Sequence, residues 1–190
     1  NLRLDEVSKG FDSGALIFGY PVRDPSRFGV IKFSDNGQIE DLVEKPNDFV
    51  SNYAIPGFYI YDNKVVEYSK NLKPSDRGEL EITDLNRKYL NEGTLNFSLW
   101  GRGVAWIDTG TSQSLQEASS FIMAVENRQS YKISCPEEIA FRQGFIGIKK
   151  FSKIIKEMPK CDYRLYLSSL LEEFSIANGS FSAKLHDLQI

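Results

Sequence analysis

Two carboxylates and two cations stand where this 190-residue chain changes from regular structure to loop, the places from which side chains can reach a ligand. In Trp106-Ile107-Asp108-Thr109-Gly110-Thr111, a carboxylate follows an apolar run and precedes a small loop and hydroxyl residues able to cap a helix. Ligands of open α/β sheets bind at the carboxyl ends of strands, and a hard carboxylate there can hold the divalent cation that nucleotide chemistry uses. Asp108 can also simply cap its own turn, and a metal would need a second carboxylate. In Val43-Glu44-Lys45-Pro46 an acid and a base emerge together before a residue that stops a ladder. Such a pair suits a sugar phosphate, the carboxylate accepting from hydroxyls and the ammonium meeting the phosphate; it also suits a solvated strand end with a weak ion pair. In Arg77-Gly78-Glu79-Leu80-Glu81-Ile82-Thr83-Asp84 a guanidinium joins what looks like an opening helix, a natural anion site or plain capping.

The elements that must position these groups follow from period and punctuation. Short β-rich runs at 15–20, 30–33, 38–43 and 57–61 are separated by turn chemistry, and Asp35-Asn36-Gly37 between two of them predicts a hairpin with a type I′ turn. Pro56 cannot donate to a ladder, so the fourth strand should begin beside it, bulge, or lie at an edge. From residue 63 the period moves toward 3.6. A short helix is expected at 64–70 and another from 77, with Ile82, Leu85, Tyr89 and Leu90 on one face, Asp76 and Glu79 as a capping box, and Gly93 as the stop. Strands at 95–99 and 104–107 come next. A long helix at 112–128 carries Leu115, Ala118, Ile122 and Val125 at a spacing that predicts a core-facing stripe. Further helices are expected at 136–144, between a starting Pro and a stopping Gly, and at 147–157 and 163–174; residues 177–190 lack a period and read as a tail. Tyr20, Phe58, Tyr59 and Tyr61 read as core rather than as a base-stacking platform.

Composition narrows the function classes. The length fits roughly one domain with a real hydrophobic core. With 23 basic and 26 acidic residues the net charge is −3, which provides no basic field for a nucleic acid. Two cysteines and one histidine are too few for a disulfide framework or a four-ligand zinc site, and the thiols fit a reducing compartment. No apolar run reaches the roughly 18–20 residues of a membrane span and no leader pattern is present, so the expected address is the cytoplasm, with neither nucleic acid nor membrane as partner. The chain begins at Asn1 without an initiator Met, as a piece of a longer protein would.

The order of the motifs says more than any one of them. Arg27-Phe28-Gly29-Val30, Glu44-Lys45-Pro46, the run from Arg77 to Asp84, and the run from Gly101 to Thr111 closely resemble the sugar-phosphate nucleotidyltransferases. Glu126-Asn127-Arg128-Gln129 and Cys135-Pro136-Glu137-Glu138-Ile139-Ala140-Phe141-Arg142 narrow the resemblance to the thymidylyl-transferring branch, over residues 14 to about 175. The resemblance implies an α/β fold, a mixed sheet with flanking helices and a helical carboxy-terminal third. It implies transfer of a thymidylyl group from dTTP to glucose 1-phosphate, giving dTDP-glucose and pyrophosphate with Mg²⁺, on the route to dTDP-rhamnose. Carried onto matching positions, Glu44 would bind glucose hydroxyls, Lys45 and Arg77 the sugar phosphate, and Gly29 and Ile55 would offer backbone contacts. Asp108 would be one of two metal carboxylates, with Trp106 shaping the site; Arg102, Glu138 and Ile139 would line a second nucleotide pocket where product inhibits. Family members are tetramers, so a homo-oligomer is implied.

The departure from the family is large. The Gly-rich loop that grips the triphosphate and the Gly-Asp-Asn segment carrying the other metal carboxylate have no counterpart here, so the fold should be incomplete at its amino-terminal side and the chain inactive alone. The expected division is a sugar-phosphate part at 1–130, a helical region at 131–177 and a tail at 178–190. Transfer of another nucleotide, or a non-catalytic assembly module, are the competing readings; retention of Glu44, Lys45, Arg77 and Asp108 together argues against the module.

Overall fold

A computed structural model describes residues 11–180. The chain divides into two compact units, one ending at Trp106 and one beginning at Ile107.

The first unit is built on β1 (Ala15–Pro21), whose residues Ala15 to Phe18 are all buried, the continuous apolar pattern of a strand covered on both faces. β2 (Gly29–Phe33) and β3 (Ile39–Glu44) form the antiparallel hairpin, β4 (Tyr53–Ala54) joins β2 to β1, β5 (Ile60–Tyr61) is antiparallel to β1, and β6 (Leu95–Leu99) is parallel to it. The sheet order is β3-β2-β4-β1-β5, with β6 also on β1. β5 and β6 both pair with Ala15 and Leu16 and so take opposite edges of β1. Helices α1 (Val65–Lys70) and α2 (Ile82–Asn91) precede β6, and α2 buries Thr83, Leu85, Asn86 and Tyr89. Ile17, Ile31, Leu42 and Ile55 form the core of the sheet, with Phe33, Tyr53 and Phe97 packed around them.

Three local expectations are corrected. The hairpin exists, but only Gly37 in its turn has positive φ (78°), and the Gly37 N–H donates to the Ser34 carbonyl at 2.9 Å. The turn is therefore not type I′, which needs positive φ at both central residues; it is a tight turn closed by one left-handed glycine. The second helix starts at Ile82, not at residue 77. Residues 75–79 close on themselves, Gly78 N–H donating to the Ser75 carbonyl and Ser75 N–H to the Glu79 carbonyl, both at 2.8 Å, so Asp76 and Glu79 make no capping box. Residues 57–59 and 104–107 are not strands; β4 ends at Ala54, before buried Pro56, and the short β5 follows at Ile60. Gly93 with φ 68° does end α2 as expected.

The second unit is helical: α3 (Ser112–Gln129), α4 (Pro136–Arg142), α5 (Ile148–Glu157) and α6 (Asp162–Ser180). Thr111 caps α3 in a reciprocal box with Ser114, and Gly144 follows α4 with φ 75°. The core gathers Cys135, Phe151, Ile155, Leu167 and Leu170, with Phe141 stacked on Phe151 at 4.6 Å. The stripe on α3 is a correction: Ala118 is its only buried residue, while Leu115 and Ile122 are 55% and 39% exposed. A 3.6-residue period marks a face but does not supply the surface that covers it. α6 continues to Ser180, past the predicted end, and the rest of the expected tail lies outside the described residues.

Candidate functional site

Glu44 ends β3 directly opposite Gly29, the first residue of β2. Its Oε2 accepts a hydrogen bond from Thr83 Oγ1 at 2.5 Å, and Thr83, in the first turn of α2, is almost completely buried. The reason for glycine at 29 is steric. A Cβ there would lie 2.8 Å from Thr83 Oγ1, 3.1 Å from Glu44 Oε2 and 3.7 Å from Ile55 Cδ1. Three of the predicted residues, Gly29, Glu44 and Ile55, therefore meet around one point. The Ile55 N–H donates to the Gly29 carbonyl at 2.7 Å, so those two backbone groups are engaged with each other rather than offered outward. Tyr59 belongs to the same neighbourhood: burial and then the charge of Glu44 push its phenol above the usual tyrosine range.

Sequence reasoning missed Thr83 and Tyr59. Thr83 lies in a run read as helix and Tyr59 in one read as strand, where a threonine near a helix start reads as capping chemistry and a tyrosine among strands reads as core. Only the packing of α2 against β3 gives Thr83 its site neighbour.

Lys45 leaves the strand in the left-handed region, with φ 42°, immediately before buried Pro46. Its N–H donates to the Phe28 carbonyl at 2.9 Å. A residue preceding proline favours extended backbone, and a non-glycine left-handed residue costs about 1–3 kcal/mol, so surrounding contacts enforce this turn. Its effect is to take Lys45 out of the two-residue alternation of β3, while its exposed ammonium stays one residue from Glu44.

Arg77 sits in the closed 75–79 turn, not on a helix. Its Nη2 donates to Glu79 Oε2 at 3.1 Å, and its Nη1 lies 3.7 Å from Oε1 of the buried Glu81. Glu81 is anchored by Ser75 Oγ, which donates to it at 3.0 Å. The Arg77–Glu79 pair is exposed, and such pairs hold weakly, so an incoming phosphate can replace Glu79 without a large penalty.

Trp106 is half-buried and edge-on to Tyr20 at 5.6 Å and to Phe28 at 5.1 Å. Tyr20 in turn donates its hydroxyl to the Val104 carbonyl at 3.1 Å. Since Phe28 precedes Gly29 and accepts from Lys45, the ring of Trp106 is tied through Phe28 to the Glu44–Lys45 corner.

Asp108 belongs to the second unit. Its Oδ2 accepts from the Gly110 N–H at 3.2 Å, and a Cβ on residue 110 would come within 3.1 Å of that oxygen and 3.5 Å of Oδ1. A side chain at residue 110 would crowd that carboxylate, and a carboxylate is a hard-oxygen group of the kind that ligates a divalent cation. Among the described residues there is no group of three His, Cys, Asp or Glu able to hold a metal ion. Arg102 is exposed in a turn of the first unit. Glu138 in the second accepts from Arg142 Nε at 2.6 Å and from the Tyr166 hydroxyl, whose pKa burial and then this carboxylate push up to about 12. Ile139, beside it, is half exposed.

A family model described as nucleotidyl transferase matches residues 5–125. A glucose-1-phosphate thymidylyltransferase of Xanthomonas campestris pv. campestris (strain B100) is 48% identical over 165 residues, covering 87% of this chain and 56% of that protein. Its counterpart in Neisseria gonorrhoeae is 49% identical over 158 residues, covering 83% and 55%. A solved structure described as a Bacillus anthracis glucose-1-phosphate thymidylyltransferase in complex with a sucrose has a TM-score of 0.55 at 42% identity, covering 62% of this chain and 47% of that one. A UDP-glucose pyrophosphorylase complexed with UDP-glucose has a TM-score of 0.54 at 25% identity, covering 62% and 47%. The chain spans about half the length of the curated relatives it matches.

Proposed function

The chain belongs to the nucleotidyl transferase family, and from that premise we propose that it carries the sugar-phosphate half of a glucose-1-phosphate thymidylyltransferase. The observation that carries the reading is the carboxylate of Glu44, held by Thr83 over a position where only glycine fits. A carboxylate fixed by one neutral donor keeps lone pairs for sugar hydroxyls, which it orients without a covalent bond. Lys45, turned out of the strand, and Arg77, released from Glu79, bind the phosphate and leave one of its oxygens aimed at the α-phosphorus of dTTP. That oxygen attacks in line, the bond to the β-phosphate oxygen breaks, and pyrophosphate leaves with its electron pair. Catalysis of this kind is mostly positioning and charge stabilisation. Trp106 closes one side of the sugar site, and Gly29 and Ile55 form its floor, shaping it with their backbone more than donating to the ligand.

Nucleotidyltransferases of this family typically use a divalent metal. We take it to be Mg²⁺, which when bound neutralises phosphate charge, and Asp108 as the ligand from this chain. Arg102, Glu138 and Ile139 are proposed as part of a second, regulatory nucleotide pocket. The whole enzyme is proposed to work as a cytoplasmic homo-oligomer supplying dTDP-glucose to dTDP-rhamnose, with residues 1–130 as the sugar-phosphate part and 131–177 as a helical region. The thymidylyl reading is favoured over uridylyl transfer because the thymidylyltransferases match at 42–49% identity and the UDP-glucose pyrophosphorylase at 25%.

The test is calorimetric titration of the purified chain with glucose 1-phosphate, beside Glu44→Gln. The substitution removes the charge and keeps the shape, so affinity should fall about 10- to 100-fold, the range for hydrogen bonds to a charged group. Equal affinity of the two proteins would remove Glu44 from the site and the reading with it.

A further inference from the structure

The second unit carries a charge pattern that nucleotidyl transfer does not use. Residues 142–164 contain seven basic side chains and two acidic ones, in a chain whose net charge is −3. Arg142 is paired with Glu138, and Arg164 donates to the Met158 carbonyl. The remaining five are lysines: Lys149, Lys150, Lys153 and Lys156 on α5, and Lys160 just beyond it, all exposed. α5 buries Phe151 and Ile155, and at 100° per residue Lys149, Lys153 and Lys156 fall together on the side opposite that buried pair. Lys150 widens the same strip. The one acid on the strip, Glu157, lies 3.7 Å from Lys153 with both side chains mostly exposed, a pair too weak to cancel it. In the loop that leads into α5, Phe145 is 79% exposed.

We propose that the lysine face of α5 docks peripherally on an anionic lipid bilayer, with Phe145 entering the headgroup region. Three features select a bilayer. The cations are all lysines, point charges that need no fixed geometry in their partner, as a fluid field of lipid phosphates requires. An exposed phenylalanine in the loop that leads into the helix matches the boundary between headgroups and acyl chains, as in surface-binding helices. The rest of the chain is acidic, so attraction is confined to this face and orients the protein, whereas a nucleic acid would be repelled by what lies beyond it. The core-facing side of α5 stays buried, so this is adsorption through charge plus one aromatic residue rather than insertion of the helix. The expectation of no membrane partner rested on the lack of a spanning run, and peripheral docking departs from it without needing one, in keeping with the absence of a spanning helix among the described residues.

Co-sedimentation of the purified chain with vesicles tests the proposal. Vesicles of phosphatidylcholine with about 30% phosphatidylglycerol should bind it at about 0.1 M salt and release it at about 0.5 M, where screening shortens the reach of each charge, and pure phosphatidylcholine should not bind. The triple variant Lys149→Gln, Lys153→Gln, Lys156→Gln should bind about 100-fold more weakly, at about fivefold per lysine. A control losing the same charge from the first unit, Lys64→Gln, Lys70→Gln, Lys73→Gln, should stay within about twofold of the parent if the face rather than net charge decides. Phe145→Ser should weaken binding further. Circular dichroism of each variant checks folding, which these exposed sites should leave intact. No binding by the parent chain, undiminished binding by the α5 triple variant, or tighter binding to duplex DNA than to the anionic vesicles would overturn the proposal.

Discussion

At the scale of single residues, the proposed sugar site depends on what two positions give up. Residue 29 gives up a side chain so that Glu44 and Thr83 can meet above it, and Lys45 gives up a relaxed backbone so that its ammonium leaves the strand beside Glu44. The second makes a prediction of opposite signs. Lys45→Gly relieves left-handed strain that glycine does not feel, so thermal unfolding should show it more stable by about 1 kcal/mol, while glucose 1-phosphate affinity falls through loss of the ammonium. Loss of both stability and affinity would mean that the turn is not strained as described. Residue types and motif order were enough to single out Glu44, Lys45 and Gly29 from the sequence. Thr83 was not legible as a site residue, because its partner lies 39 residues away and nothing local marks it.

At the scale of elements, the β-rich runs forecast β1, β2, β3 and β6 well, and in β1 burial on both faces dictates the composition. What failed was decided by hydrogen bonding that composition does not carry. The 75–79 turn closes on backbone groups before a helix can start, and residues 104–107 join no ladder although their composition is strand-like. β5 hands over to α1 at Asp62, which ties three elements together. Its carboxylate accepts from the Gly14 N–H at 2.8 Å, the Tyr89 hydroxyl at 3.0 Å and the Lys64 N–H at 3.0 Å. These bonds, the Gly14 N–H foremost, hold its pKa below the ordinary 3.8 against the effect of desolvation. A carboxylate lowered in the folded state stabilises it at pH values above the unfolded pKa and loses that contribution as pH falls through the folded one. Acid titrations followed by circular dichroism should show Asp62→Asn less stable than the parent at neutral pH, with the difference shrinking below about pH 4. A difference that persists unchanged at low pH would assign the loss to shape rather than charge.

At the scale of the whole molecule, a first unit built on a sheet and a second unit of helices together span about half the length of the thymidylyltransferases they match. The motifs quoted from the sequence fall in both units, Glu44, Lys45, Arg77 and Trp106 in the first and Asp108 in the second. The fold class and family were legible because the order of several short motifs is far more specific than any one of them. The exposed stripe on α3 was not, since amphipathicity is written in a helix and its covering partner is not. The central claim is that this chain binds the sugar phosphate and lacks the means to grip the triphosphate. Saturation-transfer NMR on the purified chain, with glucose 1-phosphate and dTTP offered separately, tests it without requiring turnover. Transfer to glucose 1-phosphate, with any transfer to dTTP abolished by Arg102→Ala in the proposed regulatory pocket, is the predicted result; transfer to dTTP that survives that substitution, or none to glucose 1-phosphate, would contradict it.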